Sequence, residues 1–86
     1  MPEISRFLGV VITMYFKDHD PPHFHVRYGD QRAVVAIDPI ELLAGHLPSR
    51  VLGLVTEWAD LHKPDLLENW TTLATTGTFK RIDPLV

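Results

Sequence analysis

The pattern of apolar and polar residues divides the chain into two halves. Between residues 10 and 16 every even position is apolar, which is typical of a half-buried strand. A second strand is predicted to begin at about His23 and to end in a two-residue turn at Gly29-Asp30, where glycine at the first central position suits type II′ geometry. Residues 31–38 should form the returning strand, and residues 40–44 either a short edge strand or the start of a loop.

After Gly45 the spacing of apolar residues changes to that of a helix, first over residues 48–62 and again from about residue 64. Pro48 suits a first helical turn, Pro64 separates the two helices, and Gly77 can end the second. Residues 79–86 could add a short strand or remain loose. Strands followed by helices predict one α+β domain over residues 1–86, with a small antiparallel sheet of three or four strands and two helices packed on one face.

The hairpin turn determines which side chains share a face of the sheet. A two-residue turn places Tyr28 opposite Gln31 and so sets the pairing of the two strands. The even-numbered residues of the second strand then face the helices, because side chains alternate along a strand. The other face of the sheet carries two histidines and two arginines, His23, His25, Arg27 and Arg32.

Composition excludes several classes of protein. The chain has 86 residues, of which 45% are hydrophobic and 22% charged, as in ordinary globular domains. It has no cysteine, which excludes disulfides and thiolate chemistry. A net charge of −3 means that nucleic-acid binding would need a local basic patch. The apolar runs are too short to span a membrane, and no signal region is recognisable, so a cytoplasmic protein is predicted.

The segment DHDPPHFHVRYG, residues 18–29, holds three of the five histidines and is predicted to form a site. His23 and His25 share a strand face and could chelate one divalent transition metal ion. His19, Asp18 or Asp20 could fold back as a third ligand. We expect the ligand set His19, His23 and His25, with Asp18 supporting it from outside.

A second interpretation of the same face is phosphate or RNA chemistry. His23 and His25 could act as an acid and base pair in phosphodiester cleavage, while Arg27 and Arg32 hold an anionic substrate. Tyr15 or Tyr28 could add a stacking or hydrogen-bonding group, although the predicted register turns Tyr28 inward. The two arginines disfavour a nearby dication, so the metal and phosphate interpretations compete.

A purely structural interpretation is also open. In it, the Pro-Pro pair fixes a bend and Asp18 and Asp20 accept hydrogen bonds within the turn. His62 is predicted to face the sheet as a buried imidazole, or to support the histidine loop from beneath. Asn69 is predicted to be a buried amide that ties a helix to a strand. Alternatively, Asn69 supports the histidine loop, as proposed for His62.

The opening MPEISRF, the block DHDPPHFHVRYG and the later EWADLH and LLENW together resemble a bacterial family catalogued as domain of unknown function 4160. The positions that match its recurrent pattern are Asp18, His19, Pro21, Pro22, His23, Phe24, His25, Tyr28, Gly29, Trp58, His62, Asn69 and Trp70. The resemblance implies a gene that often lies beside one for another small protein, in an arrangement similar to toxin–antitoxin pairs.

Two functional hypotheses follow. The first is a cytoplasmic member of such a pair that binds the neighbouring protein or nucleic acid through its histidine and arginine face. The alternative is a hydrolase, either metal-dependent or using a histidine pair, that acts on phosphodiesters at the DHDPPHFH segment. Co-purification with the neighbouring gene product would check the protein-binding form of the first hypothesis.

Overall fold

The computed structural model of the protein describes residues 2–86. It contains one antiparallel sheet in which five strands follow one another in chain order, and then two helices. The elements are β1 Glu3–Phe7, β2 Val10–Thr13, β3 His23–Tyr28, β4 Gln31–Ile37, β5 Ile40–Gly45, α1 Ser49–Leu61 and α2 Lys63–Thr75. The predicted α+β class is confirmed, but the sheet has five strands rather than three or four.

The additional strand is β1, which pairs with β2 through a turn at Leu8 and Gly9. Both turn residues have positive φ, 49° and 81°, as a two-residue type I′ hairpin requires. Leucine rarely adopts this conformation because its Cβ crowds the backbone. The turn therefore lacks the usual sequence signal, and this is why the pattern missed β1.

The residues after β2 leave the predicted strand early. β2 ends at Thr13, and Phe16, predicted to belong to the strand, is exposed. Lys17 has a positive φ of 53°, so the chain turns sharply here. After this turn, the segment between β2 and β3 folds back towards the sheet, which brings Tyr15 and Asp18 close to β3.

The register between β3 and β4 is the predicted one. Tyr28 pairs with Gln31, Arg27 with Arg32 and His25 with Val34, and Gly29 has a φ of 59°. The core-facing side chains of the sheet pack against both helices in one buried cluster, whose largest fully buried side chains are Trp58, Phe24, Ile4, Ile12 and Met14. We call the opposite side of the sheet the open face.

The sequence left open whether residues 40–44 form an edge strand or the start of a loop. In the structure they form most of the edge strand β5. Nearly every residue of β5 is exposed. Both helices lie close to their predicted bounds: Pro48 precedes α1, Pro64 lies in the first turn of α2, and Gly77 follows α2 with a φ of 74°. Within residues 2–86, neither helix is long and apolar enough to cross a membrane.

The C-terminal segment lies against the core without forming a strand. Ile82 is buried, and its N–H donates to the carbonyl oxygen of Ile4 at 2.8 Å. The side-chain amide of Asn69 donates to the carbonyl of Lys80 at 2.8 Å and accepts from the Lys80 N–H at 2.9 Å. Asn69 is thus a buried amide as predicted, but it ties its helix to the C-terminal segment rather than to a strand.

Candidate functional site

Three side chains converge at the start of β3, and we call them the Asp–His cluster: Asp18, His23 and His25. The Oδ2 atom of Asp18 lies 2.9 Å from Nε2 of His23 and 3.3 Å from Nε2 of His25. The two imidazole rings are 5.2 Å apart between centroids. Strand alternation brings the two histidines together, and the loop after β2 returns the carboxylate to them.

His23 is the buried member of the cluster, with 4% of its surface exposed. Its Nδ1 lies 2.7 Å from the carbonyl oxygen of Pro21. Because a carbonyl oxygen only accepts hydrogen bonds, Nδ1 must carry a proton. The indole of Trp70, from α2, lies 5.1 Å from the imidazole between centroids. The ring of His23 is therefore fixed on several sides, with Nε2 directed at Asp18.

His25 is half-buried and forms the solvent-facing side of the cluster. Its ring meets the ring of Tyr15 edge-on, with 4.2 Å between the centroids. The tyrosine comes from the segment that continues beyond β2. This contact leaves Nε2 of His25 pointing towards the same carboxylate oxygen that faces His23.

Asp18 is the only carboxylate of the cluster. Partial burial opposes its ionisation, but hydrogen bonds from the His19 N–H and from His25, together with the charge of His23, outweigh that effect. The pKa of Asp18 consequently lies below its ordinary value. The cluster thus pairs an ionised carboxylate with two imidazoles.

His19 was predicted to join the two histidines and Asp18 to lie outside them, but the structure has the reverse arrangement. The side chain of His19 is 86% exposed, and its Nδ1 lies 3.0 Å from Oδ1 of Asp18, on the far side of the carboxylate. Asp18 itself supplies the third converging atom. The sequence could not distinguish them, because two adjacent residues of a loop have no fixed orientation before the loop is folded.

His62 and Asn69 lie apart from the Asp–His cluster. The ring of His62 lies 5.7 Å from that of Trp58, and both His62 and Asn69 line a cavity beside the C-terminal segment. Among the described residues, neither one hydrogen-bonds to the cluster. Trp70 packs beside His23 instead, and the sequence signal for it was its match to the recurrent pattern of the family.

The open face also carries a row of arginines next to the cluster. The pairing of strands aligns Arg6 with Val11, Val11 with Arg27, and Arg27 with Arg32. Arg6 forms an ion pair with Glu3 at 2.7 Å. Arg27 and Arg32 are exposed and, within residues 2–86, have no carboxylate partner within ion-pair distance. Sequence analysis found the latter two, but it missed Arg6 because β1 was missed.

Three neighbouring cavities that share lining residues extend from the cluster to the arginines, and together we call them the groove. One cavity of about 270 Å³ lies over the cluster, and its lining includes the three cluster residues, His19 and Leu43. An adjoining cavity of about 310 Å³ shares His25 and extends to Arg32. A third, of about 130 Å³, lies between Arg32, Arg27 and Tyr15. A ligand in this groove could contact both the imidazoles and the guanidinium groups.

Comparison with known proteins gives a family but no activity. No curated protein and no solved structure matches the chain. A family model described as a domain of unknown function, DUF4160, matches residues 9–71. That range includes the whole Asp–His cluster, Arg27, Arg32 and most of α2. The chain therefore belongs to the DUF4160 family.

Proposed function

We propose that the open face binds the phosphodiester backbone of single-stranded nucleic acid. The observation that carries the proposal is the pair formed by Arg27 and Arg32. These residues lie directly opposite each other on neighbouring strands, and like charges in that position destabilise a sheet. A bound anion would relieve this repulsion, and guanidinium groups match the geometry of phosphate oxygens.

The charge around the pair supports an anionic ligand. The one carboxylate that lines this part of the groove, Glu3, is already bonded to Arg6 and Arg81. Hydrogen bonds from these two guanidinium groups lower its pKa to about 2. Four guanidinium groups therefore accompany a single carboxylate, so this part of the surface is cationic although the chain carries a net charge of −3.

The shape of the face favours a single strand over an acidic protein. A sheet face exposes a flat surface on which unpaired bases can lie while the backbone follows a row of cations. Tyr15 is half-buried and lines the groove beside Arg27 and Arg32, so its ring lies close to the arginines that would hold the phosphates. An acidic protein segment would offer carboxylates to the arginines but no planar base to stack on Tyr15.

Binding of fluorescent single-stranded RNA and DNA oligonucleotides, measured by anisotropy at several salt concentrations, tests the proposal. Replacing both arginines (Arg27→Ala with Arg32→Ala) should weaken binding by at least about 10-fold, because two charge-assisted contacts are lost. The slope of log affinity against log salt should fall by about 1.4, or about 0.7 for each phosphate contact to a single strand. The RNA and DNA arms identify the preferred strand.

The matched control is Arg50→Ala, which removes an exposed arginine at the start of α1. This change should leave affinity and salt slope unaltered. Absence of binding at low salt, or equal losses for the control and the double variant, would contradict the proposal.

A second candidate function is hydrolysis of the bound strand, and the groove that connects Arg32 to the Asp–His cluster favours it. Water would bond through its oxygen to phosphorus while one phosphorus–oxygen ester bond breaks. The displaced proton would pass to the leaving oxygen, giving a phosphomonoester and an alcohol. End-labelled RNA incubated with and without added Mn²⁺ should be cut by the wild type. His25→Ala should abolish cutting while weakening binding less than the double arginine variant does; uncut RNA with bound wild-type protein would disprove this candidate.

A further inference from the structure

We propose that Asp18, His23 and His25 bind a divalent transition metal ion. The ligand atoms are Oδ2 of the aspartate and Nε2 of each histidine. The inference goes beyond nucleic-acid binding and does not depend on it, because the three atoms converge in the protein alone. If RNA hydrolysis occurs, the ion would act in that reaction, but the site can be tested without any nucleic acid.

Two of the three separations between these atoms match those between ligands of one metal ion. Ligands at about 2.1 Å from an ion are separated by about 3.0 Å in octahedral geometry and about 3.4 Å in tetrahedral geometry. The aspartate oxygen lies 2.9 Å from one histidine nitrogen and 3.3 Å from the other. All three atoms lie within 4.8 Å of one another. An ion can therefore contact all three with only small movements.

The hydrogen bonding of His23 leaves Nε2 as the nitrogen available to a metal ion. Its Nδ1 proton is held by the carbonyl oxygen of Pro21 at 2.7 Å. With that proton held on Nδ1, Nε2 is the nitrogen that faces the carboxylate oxygen of Asp18 at 2.9 Å. Either a proton on Nε2 or a metal ion in its place satisfies this contact. A backbone carbonyl that orients the other nitrogen is also the usual support of a metal-bound histidine.

The position of His25 distinguishes a metal site from a simple histidine–aspartate pair. Its Nε2 faces the same oxygen that Nε2 of His23 faces. A single ion satisfies both nitrogens and the carboxylate together. By contrast, an acid and base pair needs one nitrogen free for substrate, and both ring nitrogens of His23 are engaged.

The surroundings leave room for further ligands to the ion. A cavity of about 270 Å³ opens over the cluster, and His25 is only half-buried. Two imidazoles and one carboxylate with free positions are a donor set for zinc, manganese or iron rather than for magnesium or calcium. Arg27 lies two residues beyond His25, about 7 Å along the strand, so its charge can hold a ligand anion without occupying the metal position.

Titration of untagged, chelator-treated protein with Zn²⁺ by calorimetry, and with Co²⁺ by visible absorption, tests the site. We expect one ion per chain, and Co²⁺ absorption bands typical of a low-symmetry site. His25→Ala and Asp18→Asn should each lower the affinity by at least about 100-fold, because loss of an outer partner alone costs about 10–100-fold. Circular dichroism and thermal unfolding of each variant verify that it is folded.

Two matched controls define the ligand set. His46→Ala removes an exposed histidine before α1 and should leave binding unchanged. His19→Ala removes a histidine whose Nδ1 faces the far oxygen of Asp18 rather than the converging atoms, and it should lower the affinity by less than about 10-fold. Failure to bind either ion would overturn the proposal, as would equal losses for the two changes His19→Ala and His25→Ala. Metal binding without RNA binding would contradict the proposed function alone.

Discussion

Trp58→Ala is expected to lower the free energy of unfolding by about 3–5 kcal/mol, the range for deletion of a large buried aromatic side chain. The indole of Trp58 is fully buried. Its ring lies 5.5 Å from that of Phe7 and 5.8 Å from that of Phe24, and its Nε1–H donates to the carbonyl of Asp83 at 2.8 Å. One side chain thus joins α1 to β1, β3 and the C-terminal segment.

Small domains have total stabilities of about 5–15 kcal/mol, so the alanine variant should lose a large part of its stability. Urea denaturation followed by tryptophan fluorescence and circular dichroism measures the change. Trp58→Phe keeps most of the packing and removes only the hydrogen bond, which should cost less than Trp58→Ala. Leu61→Ala, at an exposed position of the same helix, should change stability by less than about 0.5 kcal/mol. A loss below 1 kcal/mol for Trp58→Ala would contradict the assigned core.

Gly45→Ala is expected to destabilise the protein by about 2–5 kcal/mol. Gly45 ends β5 with a φ of 84°, where a side chain costs about 1–2 kcal/mol. A Cβ there would also lie 2.1 Å from the carbonyl oxygen of Arg32 and 2.7 Å from the Cα of Ala33. These are backbone atoms of β4, so the clash can be relieved only by moving the strands apart, at a further cost of about 1–3 kcal/mol.

Gly53→Ala is the matched control for this prediction. Gly53 is exposed within α1, and a Cβ there would meet no atom within 4 Å. Alanine favours helix by about 0.5–1 kcal/mol over glycine, so this variant should be more stable than the wild type. Thermal unfolding of both variants would show changes of opposite sign. Equal changes would mean that the close approach of β5 to β4 does not restrict position 45.

Strand alternation made much of the fold and of the open face predictable. The register of β3 against β4 follows from the Gly29-Asp30 turn, since a two-residue loop allows only one pairing of the strands that follow it. That register places Arg27 and Arg32 opposite each other and His23 beside His25 on one face. The bounds of both helices were predicted from the helical spacing of apolar residues and from Pro48, Pro64 and Gly77.

The missed features all depend on residues in unusual conformations or on contacts between distant segments. β1 was missed because its turn uses Leu8 in the left-handed region, which no propensity indicates. His62 and Asn69 share a helical face with core residues, and that spacing could not show that they meet the C-terminal segment rather than the Asp–His cluster. The place of Trp70 beside His23 likewise depends on how α2 packs against the end of β3.

The sequence by itself determined the fold class, the central hairpin and the residues of the open face, because periodicity and turn chemistry act over a few neighbouring positions. Only the tertiary structure decided that Asp18, and not His19, completes the cluster. That choice depends on the path of the loop from β2 to β3, which is set by packing of Tyr15 on His25 and by hydrogen bonds across the loop. Such contacts form only when the chain is folded, so no local pattern encodes them.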